Sequence, residues 1–183
     1  MKNLEEITEA YDWLNTTRYG NGFHAKKYLP FLKCLRVGSV LDIGTGRGQF
    51  CDWAKNNLCD IVYGLDISLD PLPEFEKKGI NFIKGVSHDI PLPDKSVDMT
   101  TSFDFLEHIH PDFLEKTILE IKRVTKKCMF HRVQSGPSSM HKDKLGELHL
   151  IQKHRKDYWV RQVFEPIGEL TSLIHGGIFT VLE

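Results

Sequence analysis

Three glycines separated by single residues close the run Val40-Leu41-Asp42-Ile43-Gly44-Thr45-Gly46-Arg47-Gly48. Such a run is suited to holding a polar ligand against the main chain, because glycine tolerates positive φ and leaves no Cβ in the ligand's way. Ser39 to Ile43 is β-prone and Gln49 to Asn57 has helical spacing, so the order is strand, glycine turn, helix. The helix start offers N–H groups without intrahelical partners at the same point, which suits a carboxylate or other polar ligand atoms. The glycines alone are also compatible with a tight turn under packing demands. No Gly-Lys-Ser/Thr follows, which excludes a triphosphate P-loop, and G-x-G-x-G spacing departs from the G-x-G-x-x-G of dinucleotide sites. About 20 residues further on, Asp66 ends a second β-prone run, Ile61 to Asp66, where a carboxylate can accept hydrogen bonds from both hydroxyls of a ribose. Its alternative role is a helix N-cap.

Proton-transfer candidates lie further along. His108 follows Glu107 on a loop after the fourth predicted strand, and histidine titrates near neutral pH; equally, Glu107 and His108 cap or pack the next helix. His131, near the end of the fifth predicted strand where open α/β sheets place ligands, and His149 are general-base or structural residues. His108 and His110 make no metal pair, since Pro111 follows and no carboxylate cluster has ligand spacing, so no metal is expected.

The elements that must position these residues read clearly. Strands are predicted at Ser39–Ile43, Ile61–Asp66, Asn81–Val86, Val97–Phe103 and Cys128–Val133, alternating with helices at Gln49–Asn57, around Glu74–Lys78, and at Phe113–Val124. That alternation predicts an α/β three-layer sandwich with a mostly parallel, doubly wound sheet. Glu169–Ile174 and Ile178–Leu182 flank His175-Gly176-Gly177 and predict a C-terminal antiparallel hairpin. Leu4–Leu14 and His24–Leu35, the latter interrupted by Pro30, read as helices, as does Asp157–Glu165, which Pro166 stops. Gln134–Gly146 has no period and reads as a surface loop. Residues 1–183 are expected to form a single domain, with 1–36 as an N-terminal helical lid carrying Trp13, Tyr19 and Phe23.

Composition narrows the function classes. Forty per cent hydrophobic and 27% charged residues suit a globular chain rather than a disordered one. Twenty-four Lys and Arg against 25 Asp and Glu leave a formal charge of −1, so no global positive field draws the protein to nucleic acid or an anionic membrane. The basic stretch Lys153-His154-Arg155-Lys156 reads as a solvated face. Cys34, Cys51, Cys59 and Cys128 fit neither a metal knuckle nor a disulfide framework and are expected to be free thiols. Acidic residues at Glu5, Glu6, Glu9 and Asp12 do not suit a targeting peptide, and no apolar run has membrane-spanning length, so the expected location is cytoplasmic, with no membrane partner.

Taken in order, the motifs resemble those of the class I, Rossmann-like S-adenosylmethionine-dependent methyltransferases, in particular the small-molecule (type 11-like) group. Val40 to Gly48 is similar to that family's first motif and Tyr63-Gly64-Leu65-Asp66 to its second. Gly85 to Asp98 is similar to the third, Asp104-Phe105-Leu106-Glu107-His108-Ile109 to the fourth, and His149 with Tyr158-Trp159 to a late segment. The resemblance implies that Asp42 and the backbone of Gly44, Thr45, Gly46 and Gly48 hold the methionine part of the donor, that Ile67 packs on adenine, and that Phe103 lies beside the donor. Val86 stands where the family has an Asp for the adenine amino group, which leaves Ser87, His88 or Asp89 for that contact. The N-terminal segment covers the site in similar enzymes, which makes Tyr19 a mobile donor contact. The implied cofactor is S-adenosylmethionine, with S-adenosylhomocysteine as product. The expected acceptor is a small or sugar-containing molecule, because the signature of amino-methylating DNA enzymes is missing after the fourth strand and a nucleic-acid partner is not expected. Two alternatives stay open: an RNA or protein acceptor, and a module that binds the nucleoside without turnover.

Overall fold

A computed structural model describes residues 4–16, 25–68, 78–134 and 154–182. At its centre lies β1 (Ser39–Ile43), buried along its whole length as a strand covered on both faces, with Val40, Leu41 and Ile43 apolar and Ser39 and Asp42 buried among them. It runs parallel to β2 (Ile61–Asp66) on one side and β4 (Val97–Phe103) on the other. β3 (Asn81–Lys84) extends the sheet beyond β2, and β5 (Thr125–Arg132) extends it beyond β4, both in parallel. The last strands are antiparallel: β7 (Gly177–Val181) pairs with β5, and β6 (Leu170–Ile174) pairs with β7, giving the order β3-β2-β1-β4-β5-β7-β6. The chain order reverses between β1 and β4, and the crevice beyond the carboxyl ends of strands at such a reversal is where open α/β sheets take ligands.

Alternate side chains of each strand feed opposite layers. Val40, Val62, Met99 and Phe130 pack with Tyr28 and Leu32 and with Phe50, Cys51 and Ala54 of α3 (Gln49–Asn57). Leu32 belongs to α2 (Leu29–Leu32), which continues a 3₁₀ turn at Lys26–Tyr28. On the other face Leu41, Ile43, Leu65 and Met129 meet Leu114, Ile118 and Ile121 of the helix Pro111–Val124, here α4, together with Trp159 and Phe164. The expected three layers and mostly parallel sheet are therefore present. α1 (Leu4–Thr16) precedes them in the chain.

Several boundaries differ from the sequence reading. β5 begins at Thr125, straight out of α4, because the Thr125 hydroxyl donates to Ile121 O at 2.5 Å and lies 2.9 Å from that of Thr100. Pro30 sits in the first turn of α2 and opens that helix instead of interrupting one, a place where its missing N–H costs nothing. The last helical segment begins as α5 (Lys156–Tyr158), widens into a π turn at Trp159–Phe164 and tightens into a 3₁₀ turn at Glu165–Ile167. Pro166 lies inside that final turn, and the chain straightens at Gly168. The β6–β7 connection is a two-residue turn of His175 and Gly176, with φ of 51° and 88°, the paired positive values of a type I′ hairpin. The helix expected around Glu74–Lys78, most of the 134–146 loop, and Tyr19, Phe23 and His149 lie outside the described residues. Among the described residues no helix is long and apolar enough to cross a membrane.

Candidate active site

The glycine turn is built as its composition demands. Gly44, Gly46 and Gly48 have φ of 70°, 52° and 71°, a left-handed region that costs other L-residues about 1–2 kcal/mol each. Gly44 and Thr45 donate their N–H groups to Leu65 O, at 2.8 and 3.2 Å, which ties the turn to the end of β2. Gly64 allows the two strands to close, since a Cβ there would stand 2.9 Å from Thr45 Cγ2 and 2.8 Å from the Phe82 ring.

Two carboxylates frame this turn. Asp66 at the end of β2 accepts from Gly46 N at 2.8 Å and from Ser68 N at 3.0 Å. Burial nevertheless pushes its carboxyl up from 3.8 to about 6, with the N–H groups of Ser68, Gly46 and Ile67 opposing and Asp12 adding to the rise. Asp42 on β1 is buried and accepts from the Thr101 hydroxyl of β4 at 2.8 Å. Burial lifts its carboxyl to about 7, against the hydroxyls of Thr101 and Thr45 and with help from the negative charge of Asp66. α1 reaches the same region, because the Ser68 hydroxyl donates to Asp12 at 2.5 Å.

The other expected residues divide. Ile67 and Phe103 are half-buried; Ile67 follows Asp66, and the Phe103 ring joins an aromatic cluster 4.9 Å from Phe50 and 6.2 Å from Tyr28. Ser87 is buried with its hydroxyl 3.1 Å from that of Thr117 on α4. His88 stacks on Phe113 at 4.4 Å, its pKa held low by burial and by Lys116 against the pull of Asp89. Asp89 is exposed.

Glu107 and His108 sit in a 3₁₀ turn after β4. Glu107 is fully buried; one oxygen accepts from Gln134 N at 3.0 Å, the other has no partner among the described residues, and burial raises its carboxyl from 4.5 to about 7. His108 is half-buried, and the side chain that caps α4 is His110, whose Nδ1 accepts from Asp112 N at 3.3 Å. His131 is fully buried against Phe164, its Nδ1 2.8 Å from the Ser102 hydroxyl, and burial drives its pKa down to about 3, so the ring is neutral.

Four contacts escape sequence reasoning. Thr101 holds Asp42 and Asp12 reaches Ser68, as described; Arg132 pairs with Asp104; and the Phe105 ring lies against Gly44, 2.2 Å from where a Cβ would stand. A signal existed for the first: Thr100, Thr101 and Ser102 place three hydroxyls in a strand that is otherwise core, and all are buried. Arg123 fixes the loop between β3 and β4 by donating to Ile90 O, Leu92 O and Asp94 while also bonding Glu120.

A left-handed glycine turn after β1, an acidic residue ending β2 and a seven-stranded sheet with this order define the class I methyltransferase fold. Residues 41–128 match the family model described as a methyltransferase domain. An uncharacterised protein of Methanocaldococcus jannaschii is 32% identical over 134 residues, which take in 69% of this chain and 58% of that protein. The chain thus spans well under two thirds of that relative's length. The partner of the Trm112 methyltransferase activator in a Haloferax volcanii complex shares the fold at a TM-score of 0.70 and 20% identity, over 88% of this chain and 77% of that one. The Burkholderia thailandensis 1,6-didemethyltoxoflavin-N1-methyltransferase, with 1,6-didemethyltoxoflavin and S-adenosylhomocysteine bound, does so at 0.62 and 16%, over 74% and 62%. The fold is that of the class I S-adenosylmethionine-dependent methyltransferases, and residues 41–128 are similar to the methyltransferase-domain family.

Proposed function

We propose that the chain binds S-adenosylmethionine in the β1 turn and transfers its methyl group to a small-molecule acceptor. The observation that carries this reading is the Asp66 carboxylate, 2.8 Å from Gly46 N at the mouth of a turn made of three left-handed glycines. These residues fit the nucleoside: a partly buried acceptor with two oxygens suits two ribose hydroxyls, and a turn without side chains leaves its backbone reachable. In this reading Asp66 holds the ribose, Asp42 and the backbone from Gly44 to Gly48 hold the amino-acid end, Ile67 and Phe103 flank the donor, and Ser87, His88 or Asp89 meets adenine. The donor supplies a methyl group on a sulfonium that already leaves readily, so the chain's own task is alignment.

Where the acceptor must lose a proton, Glu107 and His108 are the residues proposed to take it, with the Glu107 carboxyl already poised near neutrality. His131, a neutral ring inside the fold, is proposed to act by holding Ser102 and the end of β4. α1, tied to Ser68 through Asp12, and residues 25–36 are the described parts of the proposed 1–36 lid over a single 1–183 domain, and Tyr19 belongs to its remainder.

Calorimetry with S-adenosylhomocysteine tests the donor site: micromolar binding is expected, weakened at least tenfold by Asp66→Ala, and no binding refutes the reading. Release of S-adenosylhomocysteine across a metabolite panel tests turnover; tight donor binding without release under any acceptor points instead to a binding module. A second reading follows from the fold shared with the Haloferax volcanii protein, namely that an activator subunit accompanies this chain. It predicts a stable 1:1 complex when the two are co-expressed, read by size-exclusion chromatography.

A further inference from the structure

One residue of the basic stretch, Lys156 at the start of α5, is partly buried, while Arg155 beside it is exposed. Lys156 turns back onto the β6–β7 hairpin, where a Cβ on Gly176 would stand 2.5 Å from its Nζ. The hairpin sits beside the carboxyl end of β5, because Ile178 pairs with His131, and the next residue of β5 is Arg132. Arg132 in turn is the register partner of Phe103 at the end of β4. Phe103 stacks on Tyr28 at 6.2 Å, and Lys27 holds its Nζ 4.8 Å above the Tyr28 ring. Three cations from separate parts of the chain thus gather at the carboxyl ends of β4 and β5. Burial holds the pKa of Lys156 below the ordinary lysine value, and the like charges of Lys27 and Arg132 lower it further.

Like charges brought together in this way are unfavourable unless an anion joins them. Asp104 neutralises one of the three by pairing with Arg132, while neither lysine has a salt bridge among the described residues. A surplus of two positive charges remains, which matches a phosphate monoester, whose second ionisation near pH 6 makes it close to dianionic at neutral pH. The Tyr28 ring under Lys27 is buried, and its hydroxyl has no partner among the described residues.

We infer that Lys27, Lys156 and Arg132 form an anion site for a phosphate monoester carried by the small-molecule acceptor. This inference rests on the methyl-transfer reading above for the word acceptor alone; the anion site itself rests on the cation geometry.

The full chain, with and without saturating S-adenosylhomocysteine, is titrated by calorimetry with phenyl phosphate, with benzyl alcohol as the uncharged control and a 12-nucleotide single-stranded RNA as the polymeric one. Phenyl phosphate is expected to bind and benzyl alcohol not. Lys156→Gln should weaken phenyl phosphate at least tenfold and Lys27→Gln/Lys156→Gln further, while Lys126→Gln at the exposed start of β5 leaves it unchanged. Unaltered S-adenosylhomocysteine binding in each variant shows that the fold is intact. No phenyl phosphate binding, or equal binding by all variants, overturns the inference. RNA that binds more tightly than phenyl phosphate and loses affinity in the same variants overturns it too, assigning the cations to a nucleic-acid backbone. Phenyl phosphate binding without any S-adenosylhomocysteine binding upholds the anion site and removes the methyl-transfer reading.

Discussion

Asp42→Asn separates stability from donor binding at one atom pair. In the folded chain burial holds the Asp42 carboxyl at about 7, against 3.8 when exposed, despite the hydrogen bond from Thr101. Between those values the folded state keeps a proton that the unfolded state has lost, so this residue's contribution to stability falls as pH rises from about 4 to 7 and stays low above that. At 1.36 kcal/mol per tenfold, the full gap is worth about 4 kcal/mol, of which about 3 kcal/mol develops between pH 5 and pH 8. Asparagine carries no ionisable proton, and its carbonyl oxygen can still accept from Thr101. Urea unfolding followed by tryptophan fluorescence at pH 5, 6, 7 and 8 should therefore show the variant gaining on the wild type by about 3 kcal/mol across that range. The same substitution should weaken S-adenosylhomocysteine binding about tenfold or more, the value of a hydrogen bond to a charged group. Parallel stability curves for the two proteins would refute the argument, because they would mean that Asp42 carries the same charge folded and unfolded.

Gly44→Ala should lose about 2–4 kcal/mol in urea unfolding, combining the left-handed backbone cost with overpacking against Phe105, and Phe105→Ala in the same chain should recover the packing share alone. The His131 ring signals should stay flat in NMR spectra from pH 8 to pH 5; a midpoint near 6.5 would show that the ring is not buried as described. Because its pKa is lowered to about 3, this residue's contribution is complete above 6.5 and is lost as pH falls toward 3, a slope opposite to that of Asp42. Arg123→Lys should lower stability by about 1–3 kcal/mol in thermal unfolding, since an ammonium cannot reach Ile90 O, Leu92 O, Asp94 and Glu120 together.

The parallel core was legible because its signals are local. Apolar runs such as Val40–Ile43, glycines at the turn and the helical spacing of Leu114, Ile118 and Ile121 each act within a few residues, and all of them fall where expected. The carboxyl ends of the strands were less so. Asp42 meets Thr101 across 59 positions and Ser68 meets Asp12 across 56, and no periodicity links residues so far apart. The π turn at Trp159–Phe164 also eluded the reading, because its apolar spacing resembles that of an α-helix while its packing inserts Trp159 and Phe164 into the core. Lys156 was placed on a solvated face because charge patterning reports what a residue is, not which hairpin folds beside it.

The antiparallel pair at the end of the sheet has a consequence for synthesis. β7 follows every other strand in chain order yet lies between β5 and β6, so it is the partner that β5 must wait for. While the chain emerges from the ribosome, Met129, Phe130 and His131 sit on an open hydrogen-bonding edge long after the first four strands can associate. The slow, aggregation-exposed interval of folding is thereby set by the arrival of Gly177 to Val181, and the carboxyl end of β5, with Arg132, can take its final place only once that strand has been made.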